Sequence, residues 1–296
     1  VNSSFAQFAG KSKKLILGKT SQEMFPPDIS ASMDAADKKV LVEKKPFRIE
    51  SHIVIDHLDT WHDTIKAPVL DKHDSVQGVV GISRDITDKK WLEIELENRY
   101  KQLQKAWKQT VEILSYAIEI KDPYTAGHQK RVAALSVAIA KEIDIKPSEI
   151  LGMEMAAMIH DIGKLQVPSE ILSKPGKLME HEFALIKTHA EVGYSILKGA
   201  EFPWDISKMI YQHHERIDGS GYPQGIHGNE IMLEARIIAV ADVVEAMASY
   251  RPYRPALGIE AALNEIAKYS GTLFDTDVVA ACQKLFAEGK FAFGVA

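Results

Sequence analysis

The eleven residues His213-His214-Glu215-Arg216-Ile217-Asp218-Gly219-Ser220-Gly221-Tyr222-Pro223 can neither continue a helix nor sit inside a sheet. Gly219 and Gly221 open backbone angles that other residues avoid, and Pro223 removes a backbone donor. A helix therefore ends near His213 and His214. The chain turns there with two imidazoles, two carboxylates and an aromatic ring close together. A plain surface turn has much the same composition, so the other histidines decide between the two readings.

His160-Asp161 closes a segment, Leu151 to Ile159, that is apolar nearly all round and reads as a buried helix. A His-Asp pair at the end of a buried helix is costly unless compensated, and a divalent metal compensates it. His128, His189 and Asp242 extend the series, each on a different predicted helix. Singly, each has a plainer reading. His189 suits a hydrogen-bonded core histidine, Asp242 a buried carboxylate paired with Arg236 or Arg251, and His128 a residue closing the turn after Gly127. Together they match the way helix bundles build metal sites, from side chains on facing helices. The set exceeds the need of one catalytic ion and suits two ions bridged by a carboxylate, with Asp161 as the natural bridge. Imidazole with carboxylate suits iron, manganese, nickel and zinc alike.

His160-Asp161 with Gly163-Lys164, followed by His-His-Glu-x-x-Asp-Gly-x-Gly-Tyr-Pro, resembles the HD-GYP family, bacterial phosphodiesterases that cleave cyclic di-GMP. The resemblance covers about residues 119–287. It implies one ion held by His128, His160, Asp161 and Asp242, and a second by His189, His213, His214 and the bridging Asp161. Iron and manganese are the usual metals. Some members add a third metal through an acid four residues before the position of His128. Tyr124 stands there in this chain.

The resemblance also implies a dimetal phosphodiesterase yielding linear pGpG and, further on, GMP. Asp161 and Lys164 would be catalytic. Lys164 would neutralise charge at phosphorus or protonate the leaving ribose oxygen, a solvated surface lysine being the alternative. Arg251 and Arg254, in a proline-stiffened loop, would clamp phosphate. Tyr250 replaces the acid usual before this arginine, and Tyr222 would stack on or hydrogen-bond to a guanine. Asp218 is expected to order its own loop and Glu215 to orient a ligand imidazole. Two other classes stay open. One is a catalytically silent module that binds the dinucleotide or docks on diguanylate cyclase domains through the Gly-Tyr-Pro loop. The other is a different His-Asp metalloenzyme, such as a nucleotidase or di-iron oxygenase.

The fold class expected is an α+β N-terminal partial PAS domain (1–87), a helical coiled-coil linker (88–118) and an all-α HD-GYP bundle (119–296). The first region reads as a short helix from Asn2 to Phe8, a loop from Ser21 to Ile29, a helix from Met33 to Lys44 capped by Ser32, and strands over 46–55, 59–70 and 76–86. Gly78 to Asp88 resembles the closing strand and exit of a PAS domain, whose ligand the sequence does not name. His52, His57, His62 and His73 read as surface histidines rather than haem ligands. In the linker, Leu96, Tyr100, Leu103, Trp107, Thr110, Leu114 and Ala117 follow a heptad pattern, which predicts a parallel homodimer. In the last region, Asp122-Pro123 opens a helix, and further helices run over 180–198, 203–214, 230–248, 258–269 and 275–287.

Forty-one acids against 36 bases give a net charge of −5, which argues against a DNA or RNA binder working by bulk charge. The single cysteine, Cys282, lies in an apolar helical pattern and reads as core, in keeping with a reducing compartment. No apolar run approaches the roughly 20 residues of a membrane span. A cytoplasmic bacterial protein is expected. The chain begins with Val1, so it reads as a piece of a longer parent in which an upstream membrane segment stays open.

Overall fold

Alternation of half-buried and exposed residues along β1 (Phe47–Ile55) marks a sheet with one face partly covered. In the computed structural model, which describes residues 1–55, 58–122, 127–174, 176–249 and 256–294, β1 pairs antiparallel with β2 (Leu58–Leu70), and β2 with β3 (Val76–Asp85). The strand order is β1-β2-β3. Helices α1 (Ser3–Phe8), α2 (Lys13–Ile16), α3 (Ser21–Met24) and α4 (Pro27–Glu43) precede the sheet. Helix α4 packs on it through Ala36 and Val40, while Lys66 of β2 reaches Asp37 at 2.7 Å and the Met33 carbonyl at 2.8 Å.

The expected loop over 21–29 is mostly helical, with only Phe25 and Pro26 extended between α3 and α4. The Glu23 carboxylate accepts from the Thr20 amide at 2.9 Å, which starts α3. Pro27 occupies the first turn of α4, where a missing amide costs nothing, so the helix begins well before Ser32. His62 is a second correction. It is buried, edge-on to Phe8, and bonded to Thr60 and Ser83 at 3.1 and 3.3 Å. His52 and His73 are exposed or half-exposed, and His57 lies outside the described residues.

The chain divides into two units, Val1–Leu103 and Gln104–Ala296, the division falling within helix α5 (Thr87–Lys121). Ion pairs Glu95–Arg99 at 2.6 Å and Glu97–Lys101 at 2.7 Å support α5 along its exposed stretch. The expected heptad seam is not one continuous face. Leu96, Tyr100 and Leu103 are exposed, but Trp107 and Leu114 pack on the core of the second unit beside the buried Val111 and Ile118. Thr110 and Ala117, which the heptad would bury, are exposed. A straight helix turns 3.6 residues per turn, so a strict heptad drifts off any fixed face, and the core selects its own stripe.

The second unit is helical: α6 (His128–Glu142), α7 (Pro147–Met158), a 3₁₀ turn (Ile162–Gln166), α8 (Ser169–Leu172), α9 (Glu180–Lys187), α10 (His189–Leu197), α11 (Ile206–Gln212), α12 (Leu233–Ala248), α13 (Ile259–Lys268) and α14 (Thr276–Ala287). Helices α6, α7 and α12 bring Val132, Leu135, Ile139, Met153, Ala156 and Ile238 into one core, all of them inaccessible to solvent. Cys282 is buried there, and burial pushes its thiol up to about 12.

Two expectations on boundaries change. The expected helix start at Asp122-Pro123 runs into 123–126, which lie outside the described residues; α5 ends at Lys121, and α6 starts at His128 behind Gly127, whose φ is +70°. The span 180–198 is two helices, breaking at Thr188, whose hydroxyl bonds back to the Leu185 carbonyl at 2.7 Å. The span 203–214 is helical only from Ile206, where Asp205 caps the Lys208 amide at 3.1 Å. Among the described residues no helix is long and apolar enough to cross a membrane.

Candidate metal centre

Each histidine enters the site at the edge of a helix. His160 and His213 follow the last turns of α7 and α11, and His128 and His189 open α6 and α10. Three rings are fixed in the same way. Nδ1 of His160 meets the Ala157 carbonyl at 2.8 Å, Nδ1 of His189 the Ile186 carbonyl at 2.7 Å, and Nδ1 of His213 the Ile210 carbonyl at 2.6 Å. A carbonyl only accepts, so Nδ1 carries the proton and Nε2 presents its lone pair inward. The Nε2 atoms of His189 and His213 are 3.3 Å apart.

Asp161 lies between two groups. Its Oδ1 is 3.5 Å from His189 Nε2, and its Oδ2 is 3.5 Å from His160 Nε2. Asp242, from α12, places Oδ1 3.2 Å from His128 Nε2 and 3.9 Å from His160 Nε2. Three sets of donor atoms lie within 4.8 Å of one another: His189 with His213 and His214, His128 with His160 and Asp242, and His160 with Asp161 and His213. All seven residues expected as ligands are thus brought together. The plainer pairing of Asp242 with Arg236 does not occur, since Arg236 binds Asp275 at 2.5 Å.

The electrostatics differ along the site. Burial holds His213 and His214 well below the ordinary imidazole value, helped by their neighbouring rings, and burial also lowers His189. At the other end burial alone would lower His128, but hydrogen bonds to Asp242 and Glu245 outweigh it and raise it to about 9. Burial pushes Asp161 up, yet Lys164, His160 and His189 bring it well below the usual carboxylate range. Asp242 shifts the same way, against its burial, chiefly through His128. Neutral imidazoles at one end, carboxylates at the other and a carboxylate facing both make a donor set that fits divalent transition metals.

Lys164 sits on the 3₁₀ turn rather than one α-helical turn from His160. Its ammonium donates to Asp161 Oδ2 at 2.8 Å and lies 3.6 Å from Asp122. It belongs to the site and is not a solvated surface lysine. Tyr222 stacks on His214, with ring centres 4.7 Å apart. Asp218 does order its own loop, accepting from the Ser220 amide at 2.9 Å and hydroxyl at 2.6 Å. Gly219 turns that loop at φ +79°.

Glu215 orients no imidazole. It accepts from the backbone amides of Gln224 at 2.6 Å and Gly225 at 3.1 Å, bracing the loop that carries Tyr222. The carboxylate that holds an imidazole is Glu245, bonded to His128 Nδ1 and itself fixed by Arg131 at 2.7 Å and Ser249 at 2.6 Å. The signal available in the sequence was spacing: Glu245 lies three residues after Asp242, on the same face of α12. Gln129 was also missed. Its side-chain amide donates to Asp161 Oδ2 at 3.2 Å from the first turn of α6. Arg251, Arg254, Tyr124 and Tyr250 lie outside the described residues.

An all-helical unit with a buried His/Asp centre between its helices defines a class of metal-site bundles. The comparisons place the chain within it: residues 112–278 match the HD domain model, and the chain belongs to that family. Residues 1–90 match the PAS fold, so the HD domain is preceded by a PAS region. Among curated relatives, the cyclic di-GMP phosphodiesterase response regulator RpfG of Xanthomonas campestris is 39% identical over 186 residues, covering 62% of this chain and 49% of that protein. The 3'3'-cGAMP-specific phosphodiesterase 3 of Vibrio cholerae is 41% identical over 167 residues, 56% of this chain and 36% of the relative. A cyclic di-GMP phosphodiesterase of Thermotoga maritima is 40% identical over 179 residues, 60% of this chain and 49% of the relative. The chain therefore spans half or less of the length of these relatives.

Proposed function

We propose that this chain is a two-metal phosphodiesterase that hydrolyses cyclic di-GMP to linear pGpG and onward to GMP. The observation that carries the reading is Asp161, whose two oxygens face different imidazoles 3.5 Å away on either side. A single carboxylate presented to two donor sets suits a pair of ions rather than one.

His128, His160, Asp161 and Asp242 would hold one ion, and His189, His213, His214 and Asp161 the other, with iron or manganese as the first candidates. Such a pair, when bound, supplies a strong nucleophile from water at neutral pH and stabilises negative charge developing at phosphorus. The protein's own groups do the rest. Carbonyls behind His160, His189 and His213 keep Nε2 inward, and Glu245 does the same for His128. Lys164, on the Asp161 side, is placed to neutralise a phosphate oxygen or protonate the leaving ribose oxygen. Arg251 and Arg254 would clamp phosphate, as the family resemblance implies. Tyr222, fixed by its stack on His214, would contact a base.

The domain plan we infer is a PAS sensor over 1–87, a signalling helix over 88–118 and the catalytic domain over 119–296. Leu96, Tyr100 and Leu103 offer the surface for a homodimer. A second substrate, 3'3'-cGAMP, is favoured by the Vibrio cholerae relative at 41% identity.

The test is turnover of both cyclic dinucleotides, followed by chromatography, with manganese or ferrous iron and with chelator. Hydrolysis that needs metal and disappears in Asp161→Ala supports the reading. Binding without hydrolysis under every metal condition would make the chain a silent module instead.

A further inference from the structure

Phe183 and Lys187 stand one turn apart on α9, just before His189. The Lys187 ammonium lies 4.9 Å from the Phe183 ring centre and 5.1 Å from that of Tyr222. Tyr222 in turn stacks on His214. A row of His214, Tyr222, Lys187 and Phe183 therefore leads out from the metal centre. It ends on an aromatic side chain that is 48% exposed.

A Phe–Lys pair at four residues' spacing is an ordinary helix-surface contact and accounts for the first ring. It does not account for the second, which comes from the loop after α11. Glu182 on the same helix is held by Lys174 at 2.7 Å and by the Met179 amide at 2.7 Å. Among the described residues Lys187 forms no ion pair with a carboxylate, so its charge is balanced only by ring faces. An exposed aromatic ring stacks a nucleobase of any kind, and an ammonium held over the same ring meets the rim of an offset-stacked base and reads it by its acceptors.

We infer that Phe183 and Lys187 form a purine subsite, in which one base of the cyclic dinucleotide stacks on Phe183 and Lys187 donates to its Hoogsteen edge. Guanine offers two acceptors there, N7 and O6. Adenine offers N7 alone and sets an amino group against the ammonium. The subsite thus prefers guanine. It rests on the cyclic-dinucleotide reading of the metal centre and deepens it by assigning base preference to two residues outside the ligand set.

The experiment compares the parent with Phe183→Ala, Phe183→Trp and Lys187→Met. The probes are cyclic di-GMP, 3'3'-cGAMP and the all-adenine cyclic dinucleotide, with Kd by calorimetry and kcat and KM by turnover. Phe183→Ala should raise Kd and KM for all three by roughly tenfold, and Phe183→Trp should restore them. Lys187→Met should weaken cyclic di-GMP by about tenfold and leave the all-adenine ligand nearly unchanged, so the guanine preference collapses. Metal content and helicity should match the parent throughout. If the parent cleaves cyclic di-GMP and both Phe183→Ala and Lys187→Met bind it as the parent does, the subsite is wrong and the phosphodiesterase reading stands. If the parent binds without cleaving and the variants weaken binding as stated, the subsite stands and the hydrolase reading falls. If the parent binds none of the three, both fall.

Discussion

Glu245 accepts from Nδ1 of His128, and this turns Nε2 of the same ring toward Asp242, 3.2 Å away. Arg131 and Ser249 hold Glu245 in turn. Such a carboxylate fixes both the tautomer and the angle of a ligand imidazole. Glu245→Gln should therefore lower metal affinity by about 10–100-fold, measured by competition with a chromogenic chelator, while the helical signal is kept. Unchanged affinity would show that the ring is positioned by packing alone.

Gly163 makes a sharper structural demand. A Cβ there would lie 1.9 Å from the His189 carbonyl oxygen and 2.7 Å from the Gly193 amide nitrogen. The 3₁₀ turn carrying Lys164 and the helix carrying His189 can approach only if this residue has no side chain. Gly163→Ala should cost about 1–3 kcal/mol in urea unfolding and reduce metal content as well. Full stability with full metal would show that the two elements can part without consequence to the site.

Much of this site was legible because its residues differ so strongly from their surroundings. A His-Asp pair ending a helix of Met, Ala and Ile stands out, as do two histidines before a Gly-rich turn. Local breaks were harder to read. Thr188 divides α9 from α10 by a hydroxyl bond to the Leu185 carbonyl, and threonine makes the same kind of back-bond inside unbroken helices. Glu215, a carboxylate beside two histidines, resembles an imidazole partner in sequence, yet it meets backbone amides. Which group it meets depends on where Gln224 and Gly225 fold back, a tertiary fact. The α5 stripe divides for a similar reason: periodicity fixes a stripe, but the core covering Leu114 comes from distant helices, while Leu96, Tyr100 and Leu103 stay exposed.

That division of α5 predicts two different outcomes for similar substitutions. Leu114→Glu should destabilise the helical unit, because the side chain packs against its core. Leu96→Glu with Leu103→Glu should leave thermal stability unchanged and give monomers in light scattering. A dimer that survives the second pair of changes would place the interface elsewhere.

Lys164 and Arg251 should separate in kinetics. Lys164→Ala should lower kcat with modest change in KM, since its part is played at the leaving oxygen. Metal should be retained, because the ammonium competes with a cation for Asp161 rather than supporting one. Arg251→Ala should mainly raise KM, by about tenfold to a hundredfold, the worth of a charge-assisted phosphate contact. Equal losses of kcat in both would mean that the two groups share one role.

Asp161 carries the central claim. Metal content per chain, measured by plasma emission on the parent and on Asp161→Ala and read beside cyclic di-GMP turnover, tests it most directly. The parent should hold about two transition-metal ions and cleave the dinucleotide, and the variant should lose both ions together with the activity. A variant that keeps its full complement of metal, or a parent that turns over with one ion, would contradict a bridged two-metal centre.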